Sequence, residues 1–220
     1  METMAAVQAN EEQKKKEYFI EQVIPERKPV YSFIKRLLDI VLSLCAGIVL
    51  LLPLCVIGLL IKLDSEGPAL YKQERLGKNG KSFYMYKFRS MRVDAEKDGP
   101  KWANQDDDRC TRLGKFLRKC RLDELPQLWN IFVGDMSIVG PRPERPYFYD
   151  EFETYIHGFR HRLAVQPGLT GLAQVNGGYD LEPEEKIIYD MRYIKERSLL
   201  MEIGIIFKTV ALVFSHEGAR

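Results

Sequence analysis

Two adjacent carboxylates, Asp123 and Glu124, sit in the stretch "RKCRLDELPQLWNIFVGDMSIVGPRP". The cations Arg118, Lys119 and Arg121 precede them, and Arg142 follows, held between Pro141 and Pro143. A carboxylate is ionised at neutral pH, so it can attack an electrophile or bind a metal ion, and a guanidinium can grip two phosphate oxygens at once. Asp123 is also a good helix N-cap and Pro126 is tolerated only in a first turn, so the pattern predicts a helix that restarts near residue 123. The free N–H groups and positive dipole of that terminus suit a phosphate and keep a carboxylate ionised. A plainer arrangement uses the same residues: Asp123 only caps, and Glu124 pairs with Arg121 or Lys119 on a solvated face. The local pattern leaves both open.

Other clusters are weaker. "DDDR" at 106–109 places three acids in a loop, where they converge on one ion only through a special turn. His157 and His161 have the i, i+4 spacing of zinc ligands, but "GFR" between them supplies no glutamate and no third ligand is evident, so a helix surface is the better reading. "KFRSMR" and "QERLGKNGK" add cations that read by themselves as a solvated face. Walker, GxGxxG and GxSxG motifs are absent from the sequence.

The elements that must position the pair follow from periodicity. Apolar residues at helical spacing (Leu113, Phe116, Leu117, then Leu125, Leu128, Trp129, Phe132) predict helices around the dyad. Gly67-Pro68 and Asn79-Gly80 punctuate apolar runs and predict a short hairpin over about 69–90. "PERPYFYDEFETYIHGFRHRL" and "EPEEKIIYDMRYIKERS" read as amphipathic helices separated by the loop "VQPGLTGLAQVNGGYD", and "LLMEIGIIFKTVALVF" as an apolar helix. Residues 1–30 are polar and read as a mobile arm or surface helix.

Ile40 to Ile61 is a run of 22 residues without a charge. As a straight helix it would extend roughly 33 Å, enough to span a bilayer core. Basic residues flank both ends, so the positive-inside rule favours neither orientation, and Pro53 in the middle predicts a kink. A kinked crossing helix and a hairpin that returns to the same face both satisfy these facts. Either attaches the chain to a membrane.

At 220 residues, 45% hydrophobic and 29% charged, the chain suits one sizeable domain plus an appendage. Its formal charge of +2 argues against a nucleic-acid partner, so any anion must be met locally. The four cysteines form no CxxC pair, which predicts buried or idle thiols in a reducing compartment rather than a disulfide framework or a zinc knuckle.

Four segments together, "KRLLDIVLSLCAGIVLLLPLCVIGLLIKL", "GPALYKQERLGKNGKSFYMYKFRSM", "TRLGKFLRKCRLDELPQLWNIFVGDMSIVGPRP" and "PGLTGLAQVNG", resemble the bacterial sugar transferase family, the monotopic polyprenol-phosphate phosphoglycosyl transferases. The resemblance runs from about Lys35 to Val210. It implies transfer of a sugar 1-phosphate from a UDP-sugar to polyprenol phosphate with release of UMP, the first membrane step of glycan assembly. It implies that Asp123 attacks the β-phosphorus to form an aspartyl phosphosugar, with Mg2+ at Asp123, and that Glu124 orients the metal or assists the polyprenol phosphate. Arg118 and Arg142 match basic positions of that family's site, and Lys87 and Arg89 of "KFR" match a further block.

The implied fold is α/β and helix-rich, a monotopic membrane protein with a re-entrant helix-break-helix at 31–64. A small catalytic domain with amphipathic interfacial helices follows at 65–220, after the polar arm at 1–30. The implied location is the bacterial inner membrane with the catalytic domain on its cytoplasmic face, in contact with membrane lipids; homo-oligomerisation is left open. The family's break is commonly Ser-Pro, whereas Leu52 precedes Pro53 here, and the chain resembles the minimal catalytic form.

Overall fold

The computed structural model describes residues 16–97, 99 and 107–215. The chain forms a mixed helix-and-strand fold in which helices dominate. It opens with β1 (Tyr18–Phe19), which pairs in parallel with β5 (Ile156–His157). The described part of the N-terminal arm is therefore an extended segment laid on the domain, not a surface helix; residues 1–15 lie outside the described residues.

The uncharged run becomes two helices, α1 (Pro29–Val49) and α2 (Leu51–Asp64), bent by 62° at Leu50. Pro53 explains the position of the bend. Its ring would clash with the carbonyl four residues earlier, that of Val49, so α1 has to end there. Counted from Leu51, Pro53 is the third residue of α2, where its missing N–H is no loss. The bend thus falls three residues before the proline at which the sequence placed it. Among the described residues no single helix is long and apolar enough to cross a membrane; the bent pair passes that test only by length and composition.

Polar contacts fasten α1 to the rest of the chain. The Lys35 ammonium donates to Glu202, at 2.8 Å, and to the Val139 carbonyl, at 3.0 Å. Arg36 donates to the Ile131 and Phe132 carbonyls, each at 2.7 Å, satisfying the C-terminal end of α4 (Gln127–Val133). The buried Asp39 accepts from the Ser137 hydroxyl, 3.1 Å, and the Ile138 N–H, 2.9 Å, in β4 (Ser137–Val139).

The expected hairpin is present as β2 (Leu70–Leu76) and β3 (Ser82–Phe88), antiparallel, with Asn79 and Gly80 at positive φ in the turn. Between β3 and α4 lies α3 (Arg112–Lys119). Leu117 of α3 packs with Ile61 of α2 and Phe88 of β3. β4 pairs in parallel with β6 (Gly168–Thr170).

The main core gathers α5 (Pro146–Glu153), α6 (Pro183–Glu196) and α7 (Leu199–Ser215) through Phe148, Tyr149, Phe152, Phe159, Ile187, Ile194 and Ile205. α6 starts on a reciprocal cap between Glu182 and Glu185. The helix expected over 143–163 is divided: α5 stops at Glu153, β5 follows, and Gly158, at φ 97, turns the chain into a 3-10 segment at Phe159–Ala164. His157 and His161 consequently do not share a helix face.

Candidate active site

The dyad is not where an N-cap would put it. α3 ends at Lys119, Arg121 takes a left-handed conformation (φ 56, ψ 18), and Leu122–Glu124 form a 3-10 turn before α4 begins at Gln127. A left-handed arginine is an uncommon backbone state. It sharply redirects the chain between two short helices. Asp123 caps nothing: it sits inside the turn, 8% exposed. The sequence expectation of a helix restarting at 123 is corrected accordingly, and no helix dipole acts on the dyad as an N-cap would feel it.

α3 is set by close contact. Thr111 accepts from the Gly114 N–H and caps the helix, and a Cβ at Gly114 would stand 1.9 Å from the Ser90 carbonyl oxygen, so only glycine lets α3 lie against the exit of β3. That contact brings Arg118 and the dyad turn beside Lys87 of β3. Pro141 and Pro143 stiffen the segment that carries Arg142, and the buried Arg162 donates to the Arg142 carbonyl at 2.9 Å while paired with Asp190 of α6 at 2.6 Å.

These elements surround a cleft of about 450 Å³. Asp123, Glu124, Lys87, Arg118 and Arg142 line it together, as does Arg121. Glu124 accepts from the Lys87 ammonium at 3.2 Å and from Arg142 through the same oxygen, Oε1; the second arm of Arg142 donates to the Leu169 carbonyl at 3.1 Å. Arg118 donates to the Cys110 thiol at 3.1 Å. All four cysteines are free thiols.

The pair splits electrostatically. Burial, and then the charge of Glu124, push the Asp123 carboxyl up to about 6, against the pull of Lys87, Arg118 and Arg142. Burial also acts against Glu124, but Arg142 and Lys87 outweigh it and hold that carboxyl below the usual range. The two neighbouring carboxyls are thus pushed apart, Asp123 toward the neutral form and Glu124 toward the charged one.

Arg89 lines the cleft, yet its guanidinium is turned to backbone: it donates to the Glu66 carbonyl at 2.6 Å and the Ser65 carbonyl at 2.7 Å, just beyond the end of α2. It is not among the cations that hold Glu124. Of the "DDDR" acids, Asp107 is ion-paired to Arg109 at 2.5 Å; Asp106 lies outside the described residues. Among the described residues no group of three His, Cys, Asp or Glu side chains is placed to hold a metal ion.

Sequence reasoning missed several cleft residues. Arg75 pairs with Glu144 at 3.0 Å, and Arg145 pairs with Glu96 at 2.8 Å. Both arginines were visible as "QER" and "PER", but strand and loop position alone could not say which way they face.

The family model described as "Bacterial sugar transferase" matches residues 30–216, and the chain belongs to that family. It is 44% identical over 87% of its length to "UDP-N-acetylgalactosamine-undecaprenyl-phosphate N-acetylgalactosaminephosphotransferase" of Aeromonas hydrophila, covering 46% of that protein. It is 48% identical over 67% of its length to "Putative undecaprenyl-phosphate N-acetylgalactosaminyl 1-phosphate transferase" of Bacillus subtilis (strain 168), covering 85% of it. It is 41% identical over 86% of its length to "UDP-glucose:undecaprenyl-phosphate glucose-1-phosphate transferase" of Escherichia coli (strain K12), covering 42% of that protein. The chain thus spans less than half the length of the Aeromonas and Escherichia relatives.

Proposed function

We propose that the chain transfers a sugar 1-phosphate from a UDP-sugar to polyprenol phosphate, releasing UMP, by way of an aspartyl phosphosugar. The observation that carries the reading is a buried aspartate, Asp123, in a cleft that Lys87, Arg118, Arg121 and Arg142 also line. An anionic diphosphate is attracted there, and the nucleophile needs only to be ionised. A carboxylate oxygen of Asp123 attacks the β-phosphorus; the bond from phosphorus to the bridging oxygen breaks and leaves with UMP. A phosphate oxygen of the acceptor then attacks the same phosphorus, and the aspartyl bond breaks to return the free carboxylate.

Arg118, Arg142 and Lys87 orient the phosphoryl oxygens and offset the charge that gathers on them. Arg89 acts at one remove, by fixing the end of α2 against the cleft. Asp123 fits Mg2+ as a single protein ligand, since this ion commonly takes one or two carboxylates and fills its shell with substrate phosphates and water. Such an ion would neutralise diphosphate charge. The raised Asp123 carboxyl favours a cation beside it.

The membrane arrangement belongs to the same proposal. α1 and α2 enter and leave the same face of a bacterial inner membrane within residues 31–64, and residues 65–220 form the catalytic domain at its cytoplasmic surface. The 62° bend and the exposed Leu42, Ile48, Leu52, Val56 and Leu59 support this. Incubation of the purified protein with UDP-sugars and Mg2+, with and without polyprenol phosphate, tests the reaction. Release of UMP together with a polyprenol diphosphate-linked sugar is expected. Sugar phosphate released to water at the same rate without the acceptor would make it a hydrolase.

A further inference from the structure

Glu124 is the residue whose contacts the proposed reaction does not account for. Its Oε1 is shared between two cations of the cleft, the Lys87 ammonium at 3.2 Å and an arm of Arg142, while the other arm of Arg142 is fixed to the Leu169 carbonyl. One oxygen between an ammonium and a guanidinium is also how a non-bridging phosphate oxygen is held. The side chains involved are 13%, 19% and 18% exposed for Glu124, Lys87 and Arg142. The seat is therefore sheltered, though open to the cleft that all three line.

We infer that Glu124 is a surrogate phosphate: in the free protein it occupies the seat that a diphosphate oxygen of the donor takes, and the donor must displace it. The inference rests on the functional reading above and concerns the same cleft. It gives Glu124 a positioning role with two consequences. Without a substrate, the carboxylate keeps Lys87 and Arg142 converged at phosphate-binding distance instead of extended into solvent. On binding, the carboxylate is released into the cleft next to Asp123, so it is available for the acceptor step only when a donor is present. Keeping the seat filled also lowers the apparent affinity for any diphosphate, by the fraction of molecules whose seat is open.

The test is binding of UDP, without divalent metal, to the full chain in nanodiscs by calorimetry, comparing wild type with Glu124→Gln, Glu124→Ala and Asp123→Asn. Gln keeps the size of the side chain but cannot hold two cations by charge. The inference predicts that both Glu124 variants bind UDP roughly tenfold or more tightly. Asp123→Asn, which removes one negative charge from the same cleft but leaves the seat filled, gains distinctly less. Adding Arg142→Gln to Glu124→Gln removes the gain.

Equal or weaker binding by the Glu124 variants, with melting curves showing that they are folded, would mean that the carboxylate only organises the cations, and the inference fails while the functional reading stands. A gain of the same size in Asp123→Asn would reduce the effect to general charge and overturn it as well. If neither wild type nor any variant binds UDP, the reading of the cleft as a nucleotide diphosphate site falls, and the inference with it. Should Gln and Ala at 124 both melt early, Lys87→Met in the wild-type background decides: it weakens one hold on the carboxylate, and a loss of UDP affinity smaller than that of Arg118→Gln agrees with an already competing occupant, whereas a larger one contradicts it.

Discussion

Asp123 is held in a costly state. Its carboxyl ordinarily titrates near ~3.9 and is raised to about 6 by burial and by Glu124. A folded value above the unfolded one means that folding favours the neutral acid. The cost of the ionised form is absent below about pH 4 and fully present above about pH 6. Asp123→Asn should therefore raise thermal stability at pH 7.5, by on the order of 1–2 kcal/mol, while turnover falls by roughly 10³-fold or more. A variant that lost activity and stability together would instead point to a structural carboxylate. The same shift sets a pH dependence: in the proposed reaction the ionised form attacks, so kcat/KM should fall as pH drops through about 6, not through the ordinary aspartate range. A pH–rate profile that stays flat down to pH 4.5 would contradict this. The carboxylate pair and Arg142 were plain in the sequence. The state of each carboxyl was not, because it depends on Lys87, which is 37 positions away along the chain from Glu124.

At the scale of elements, periodicity found the hairpin, α6 and α7, since each depends on near neighbours such as Asn79-Gly80 or the Glu182–Glu185 cap. It misplaced the dyad turn. Asp123 and Pro126 obey helix-start statistics, but a left-handed Arg121 ends one helix and a 3-10 turn intervenes before the next, and nothing local marks an arginine for positive φ. The long amphipathic segment at 143–163 failed for a related reason: Gly158 breaks it, and β1 supplies a pairing partner from far away in the sequence.

Asp39 shows how α1 is fixed. It sits on the edge of an uncharged run, where a lone acid would be hard to explain, until its acceptors meet Ser137 and Ile138 almost a hundred residues later. Asp39→Ala leaves the half-buried Ile138 N–H and the buried Ser137 hydroxyl without that partner. The expected loss is about 1–3 kcal/mol, read as a lower melting temperature in detergent. An unchanged melting curve would mean that α1 is not anchored through β4.

For the whole molecule, the question is how an apolar bent helix pair and a cation-rich cleft are held in one geometry. Three polar side chains of α1, Lys35, Arg36 and Asp39, bind α7, α4 and β4 and so tie the first helix of the bent pair to the elements around the cleft. A second exposed apolar row on α7, Leu200, Ile203, Phe207 and Val210, adds surface of the kind that lies along a bilayer. The account predicts that single cysteines placed at Arg27 and at Glu66, with the native cysteines replaced, react with a membrane-impermeant reagent from the same side of inverted vesicles. Labelling from opposite sides would establish a crossing helix in place of a hairpin.

The central claim is the covalent step at Asp123, and intact mass reads it most directly. The purified protein is incubated with Mg2+ and a panel of UDP-sugars, without lipid acceptor, alongside Asp123→Asn. The account predicts an added mass of one sugar phosphate on the wild type alone, with matching UMP release, for at least one donor. UMP released in step with polyprenol-linked product, but with no adduct on the wild type at any time point, would show direct transfer between the two substrates and contradict the role given to Asp123.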